Sequence, residues 1–299
     1  MGKDLAQEFV ASREVFEEAD DVLGFSLSKL CFEGPAEQLQ LTENTQPAIL
    51  ATSIATLRAM ESAGFPPADF LAGHSLGEYS ALVAGGALSL ADGLRIVRLR
   101  GRYMQEAVPV GVGAMAAVMG SSLVDIERLC VEASQGEVCA PANINSGNQV
   151  VIAGNAPAID RAIELLKAAG AKRAIKLNVS APFHCALMMP AQERLQVDLD
   201  EIQFGDLSVP LVTNADAAII DKGEDARAAL IKQVSSTVRW LESIELLIGR
   251  GVKTFIEVGP GKILSGLVRQ IDREVQSLNV EDAALSDKLQ LVTGHAAGG

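Results

Sequence analysis

The chain has 299 residues, 48% of them hydrophobic and only 4% aromatic, and a formal charge of −13. That length can bury one large α/β core or two smaller units, filled by Leu, Ile, Val and Ala rather than by rings. The negative balance argues against nucleic acid, whose phosphates it would repel, and no apolar run reaches the ~18 residues that span a bilayer.

Met1-Gly2-Lys3-Asp4 is followed by no apolar signal core. Cys31, Cys130, Cys139 and Cys185 share no metal-ligand spacing, so the expectation is reduced thiols, no bound metal and a cytoplasmic location.

Residues 1–110 read as helices around one strand. The pattern predicts a helix from Ala6 to Ala19 and a long one opened by Thr45-Gln46-Pro47-Ala48 and running to Ala63. The apolar run Phe70-Leu71-Ala72 predicts a strand, and Ala81-Leu82-Val83-Ala84 a helix stopped by Gly85-Gly86. Between them stands Gly73-His74-Ser75-Leu76-Gly77, a G-x-S-x-G pattern that arises by chance in about one such chain in ten. The strand before it and the helix after it turn the pattern into a nucleophile elbow with Ser75 at its apex. Such a turn lifts the hydroxyl out of the sheet, aims the Leu76 N–H at the same point, and leaves no room for a Cβ at Gly73 or Gly77.

Ser89 and Asp92 pattern a capping box at the start of the next helix. Arg95, Arg98 and Arg102 fall on one face and read as a solvated stripe. Arg100 does not: its helical neighbours are Ile96, Val97, Tyr103 and Met104. A buried guanidinium must meet something anionic. Two readings stand: a structural salt bridge to an internal Asp or Glu, or a bidentate clamp for a substrate carboxylate.

From Gly113 the texture changes. Ala114–Met119 reads as a strand, Ser122–Ser134 as a helix, and Gly136–Gly154 as two strands around Asn145-Ser146-Gly147-Asn148. Pro157–Ala169 reads as a helix and Ala174–Val179 as a strand. This β-α-β-β-α-β order is the ferredoxin-like split unit. It predicts an α/β fold in which a ferredoxin-like insert, residues 111–186, interrupts a large domain of residues 1–110 and 187–299. The remaining elements are a strand at Val209–Thr213, helices from Ala226 to about Gln233 and ending at Gly249, a strand at Lys253–Val258, and a final helix. The tail from Thr293 reads as disordered. Gly259-Pro260-Gly261-Lys262 fails the phosphate-loop pattern because Ile263 stands where Ser or Thr is needed, and reads as a tight turn.

A serine nucleophile needs a base, and the chain has three histidines: His74, His184 and His295. His295 falls in the tail. His74 adjoins Ser75 where side chains diverge, so it shapes the turn. His184 follows the last strand of the insert, where the chain re-enters the large domain and a cleft is expected. Alone it reads equally well as a satisfied interdomain histidine; with Ser75 in the chain, the balance moves to catalysis.

Several stretches in order now resemble the malonyl-CoA–acyl carrier protein transacylases of fatty acid synthesis and the related acyltransferase domains of polyketide synthases. They are Gly73–Ser80, Arg100-Gly101-Arg102-Tyr103-Met104-Gln105, Asn143-Ile144-Asn145-Ser146, Pro182-Phe183-His184 and Glu257–Lys262. The resemblance implies a hydrolase-like large domain with a parallel sheet. It implies acylation of Ser75, His184 as base, the Gln233 backbone carbonyl as its orienting partner, and Arg100 on the malonyl carboxylate. Met104 and Phe183 become substrate-binding positions, Phe183 narrowing the pocket beside the acyl α-carbon. The roles of Asn143 and Asn145 stay open.

The implied reaction is ping-pong transfer of malonyl from coenzyme A to the phosphopantetheine thiol of acyl carrier protein, with no bound cofactor, no nucleic acid and no membrane, by a monomer. The acidic carrier of the family would need a basic landing patch, for which Arg95, Arg98, Arg102, Lys172, Arg173 and Lys176 are candidates. Two departures stand out: Thr237 where the family has proline, and the absence of its N-terminal strand and Gly-Gln-Gly-Ser-Gln loop. The second makes Met1 read as an internal methionine of a longer chain. It also keeps two alternatives in view, a serine hydrolase or thioesterase and a catalytically weak carrier-binding paralogue.

Overall fold

The computed structural model describes residues 1–179 and 181–293. Ser180 and the segment carrying His295 lie outside the described residues, and with them most of the tail expected to be disordered. Among the described residues no helix is long and apolar enough to cross a membrane.

The N-terminal helix is two helices. Lys3–Glu8 and Val10–Leu23 meet at Phe9, whose backbone is extended at φ −116° and ψ 121°. Leu5 packs with Ala59, Met60, Val280 and Leu285, while Ala6 of the same piece and Val15, Phe16 and Ala19 of the next join the main core. The next long helix, Thr42–Ser62, starts earlier than its proline suggests and carries Pro47 inside it. Leu90–Glu106 begins as expected, with the Ser89 hydroxyl accepting from Asp92 N–H.

Parallel pairing supports the nucleophile's turn. Leu71–Ala72 lies beside Leu211–Val212, which in turn pairs antiparallel with Ile219–Ile220. A second parallel pair joins Thr254–Val258 to Gln276–Val280. That last strand and the helix Leu285–Thr293 after it are absent from the sequence reading, which ended on the helix now seen at Ile263–Ile271. Only Val280 of the Gln276–Val280 strand is buried, so it carries almost no hydrophobic pattern to find.

Strands Gly113–Met119, Cys139–Ser146, Gln149–Asn155 and Arg173–Lys176 form one antiparallel sheet. Numbered in chain order its strands lie 2-3-1-4, the arrangement of a ferredoxin-like unit. Helices Leu123–Ser134 and Ala156–Ala168 bury Ile126, Leu129, Ile159, Ile163 and Leu166 against it as a separate core. Its edge strand is stitched to the rest of the chain. Val238 N–H donates to Ala142 O at 2.8 Å, Ile144 N–H to Val238 O at 2.9 Å, and the Thr237 hydroxyl to Pro141 O at 2.7 Å. Thr237 thus makes a bond that a proline could not.

Of the arginine stripe, Arg95 pairs with Asp92 on the surface, but Arg98 is no free cation. It stacks 4.4 Å from the Phe25 ring centroid and donates to Leu23 O, fastening the N-terminal helices.

Candidate active site

Ser75 sits where the Leu71–Ala72 strand turns into the Leu76–Ala84 helix, at φ 53° and ψ −104°. A serine in that region is strained by about 1–3 kcal/mol, and the surroundings hold it there. Its N–H donates to Asn214 Oδ1 at 2.6 Å and its carbonyl accepts from Gln233 Nε2 at 2.9 Å. Asn214 Nδ2 also donates to Gly73 O at 2.6 Å, so one side chain clamps both sides of the apex. The two glycines differ. A Cβ on Gly73 would lie 2.0 Å from the Gly77 carbonyl carbon and oxygen, whereas one on Gly77 would meet nothing within 4 Å. The steric demand belongs to Gly73, and the expectation for Gly77 is corrected.

His184 reaches Ser75 across 109 residues: Nε2 lies 2.7 Å from Ser75 Oγ. Nδ1 lies 3.0 Å from the Gln233 backbone carbonyl. A carbonyl only accepts, so Nδ1 carries the proton, and the unprotonated Nε2 accepts from the Ser75 hydroxyl. Burial, with Arg100 adding its positive charge, pushes His184 down to about 3. The ring is therefore a neutral base at ordinary pH. His74 points elsewhere, bonding Asn145 Oδ1 at 2.9 Å and lying 5.5 Å from the Trp240 ring, so Asn145 ties the insert's sheet to the elbow.

Arg100 is 2% exposed, and none of the ion pairs among the described residues includes it. The salt bridge to an internal acid is not what holds it. It donates instead to Gln46 Oε1 at 2.7 Å, Gln233 Oε1 at 2.9 Å and Ser75 Oγ at 3.0 Å, and its Nε has no partner. The guanidinium is thus held beside the nucleophile by neutral acceptors, with no carboxylate of its own among the described residues.

The Leu76 N–H stands at the first turn of its helix, and no hydrogen bond among the described residues uses it. It is free to meet an oxyanion. Met104 is buried in the main core one helical turn beyond Arg100, and Phe183 packs against that same cluster and against the insert's inner face. The Cys185 thiol donates to Pro182 O, and burial pushes it up to about 11, which leaves it inert. The turn at Gly259–Gly261 holds no anion site: Glu257 already accepts from Leu264 and Ser265 N–H at the following helix start.

Three groups escaped the sequence reading: Asn214, the Gln233 side chain and Glu78. All are buried polar residues brought together from distant elements. The only signal in the sequence is their polarity within apolar surroundings.

The chain matches the acyl transferase domain family over residues 1–292. A malonyl CoA-acyl carrier protein transacylase of Bacillus subtilis is 48% identical over 283 residues, 94% of this chain and 89% of that protein. The structure of the malonyl CoA-acyl carrier protein transacylase from Coxiella burnetii superimposes with a TM-score of 0.96 at 41% identity, covering 99% of this chain and 93% of that one. A malonyl-transacylase in complex with a type II polyketide acyl-carrier protein gives 0.94 at 44% identity, covering 99% and 95%. An elbow serine, a histidine oriented by a backbone carbonyl, and relatives matched along nearly their whole length lead to one conclusion: the chain belongs to the acyl transferase domain family.

Proposed function

We propose that this chain is an acyltransferase that moves a malonyl group from coenzyme A to the phosphopantetheine thiol of an acyl carrier protein, acting without a bound cofactor. The observation that carries the reading is Arg100, in no ion pair among the described residues and 3.0 Å from Ser75 Oγ. A neutral acyl group has no use for it; a malonyl group presents its carboxylate there.

In the first half-reaction His184 Nε2 takes the Ser75 proton as Oγ attacks the thioester carbonyl. The Leu76 N–H stabilises the oxyanion, and the Gln233 carbonyl stabilises the imidazolium through Nδ1–H. The C–S bond breaks, and His184 returns the proton to the departing coenzyme A sulfur. In the second half-reaction the carrier thiol gives its proton to His184 and attacks the Ser75 ester, and Oγ recovers the proton as it leaves. Met104 and Phe183 form the apolar wall beside the acyl chain. We assign the large domain to residues 1–110 and 187–299, the insert to 111–186, and the protein to the cytoplasm.

Initial rates measured with malonyl-CoA and phosphopantetheinylated carrier protein test this. Parallel double-reciprocal lines with malonyl-carrier as product are expected. Release of free malonate as the main product would instead identify a hydrolase.

A further inference from the structure

Glu78 lies on the first turn of the helix that follows the nucleophile and is 0% exposed. Its Oε2 accepts from Gln233 Nε2 at 2.7 Å and from Asn214 N–H at 3.2 Å, while Oε1 has no partner. A buried carboxylate with an unsatisfied oxygen is costly, and no step described above uses it.

Its placement relative to Arg100 is informative. The two do not touch; the Gln233 amide stands between them, its Oε1 on Arg100 and its Nε2 on Glu78. An amide bridging a donor-only guanidinium and an acceptor-only carboxylate has its orientation fixed at both ends. A direct Arg100–Glu78 bridge would neutralise the guanidinium in an ion pair. The interposed amide lets Glu78 balance the buried positive charge from a distance, and Arg100 is held by neutral acceptors alone.

We propose that Glu78 is a relayed counter-ion that tunes Arg100 for carboxylated acyl groups: above neutral pH it is ionised while the site is empty, and it takes up a proton when a substrate carboxylate replaces it as the partner charge of Arg100. This rests on Arg100 receiving the malonyl carboxylate. Protonation suits the orphaned Oε1, since an unpartnered hydroxyl costs less than an unpartnered anionic oxygen. Burial already pushes Glu78 up to about 7, against the lowering effects of Gln233, Asn214 and Arg100, so the exchange falls within the accessible pH range. Binding a second anion beside Arg100 raises it further.

Other titratable groups lie around it. His184 lies near 3, and burial also lowers His74. Tyr79, on the same helix, is pushed up to about 12. Asp216, beyond the Leu211–Val212 strand, pairs with Lys232 of the neighbouring Gly223–Gln233 helix at the surface. From the Thr42–Ser62 helix it is the neutral Gln46 that reaches Arg100.

The test is the ratio of kcat/KM for malonyl-CoA to that for acetyl-CoA, followed from pH 6 to 8.5 in the wild type and in Glu78→Gln. Acetyl-CoA carries the same phosphates and uses the same base, so their titration cancels in the ratio. The wild-type ratio is expected to rise about fivefold or more as pH falls through 7, the size of an ordinary coupling between two sites. In Glu78→Gln it is expected to be high and flat. A flat wild-type profile, or an equal slope in the variant, overturns the proposal. If the variant does not fold, infrared difference spectra of the wild type on malonylation decide. A new protonated-carboxyl stretch supports the proposal and its absence refutes it. A malonyl preference missing at every pH, in wild type and Glu78→Gln alike, would mark failure of the Arg100 reading, so the two failures are distinguishable.

Discussion

Arg100→Ala separates the clamp from a structural arginine. In the wild type Arg100 is committed to Gln46, Gln233 and Ser75, with Nε spare. A carboxylate gripped through two charge-assisted hydrogen bonds gains about 1.5–3 kcal/mol from each. Truncation therefore forfeits about 3 kcal/mol or more of malonyl binding in the transition state, or about 10²-fold in kcat/KM at least. Acetyl-CoA has no carboxylate and loses only what the disturbed Ser75 and Gln233 contacts contribute, about tenfold or less. Rates of Ser75 acylation by each donor, measured in a stopped flow on wild type and variant, give both losses. Arg100→Lys keeps the charge without the fork and should fall between. Equal losses for the two donors would refute the clamp and leave Arg100 as a packing element over the Tyr79 ring, 5.3 Å away.

Asn214→Ala removes both 2.6 Å bonds to the elbow and should cost about 2 kcal/mol or more. Thermal melts would show a lowered Tm, with Ser75 acylation slowed as the strained apex relaxes. His184→Ala should slow acylation by several orders of magnitude, read as label incorporated over time. In the wild type, His184 held near 3 keeps that acylation rate free of any fall centred on the ordinary value of 6.5. The unfolded chain protonates this histidine below 6.5 and the folded one does not until about 3, so stability is lost as pH falls through that window. His184→Asn should flatten that acid-side loss in denaturant titrations.

What could be read from the sequence was local. The elbow announces itself because strand, glycine, serine and helix are consecutive, and the ferredoxin-like order shows because each of its elements has its own periodicity. The encounter of Ser75 with His184 was reachable because so few histidines compete for the role. What stayed hidden was long-range and polar. Nothing near Asn214 says that its amide clamps Ser75, and nothing near Gln233 says that its side chain spans Arg100 and Glu78. Arg100 stood out as a charge on an apolar face, yet the same pattern left an internal salt bridge open as the lesser alternative. That alternative fails because the neighbouring acid is held one amide away. The packing of Leu5 was hidden for a related reason: its cluster includes Val280 from the far end of the chain.

The central claim is that Ser75 carries a malonyl ester on its way to a thiol. Mass spectrometry of the enzyme mixed with malonyl-CoA tests it most directly. The account predicts a malonyl adduct on the peptide containing Ser75, stable in buffer, discharged on adding the carrier thiol, and missing in Ser75→Ala. An adduct that persists without Ser75, or one that discharges to water as fast as to the thiol, would contradict it.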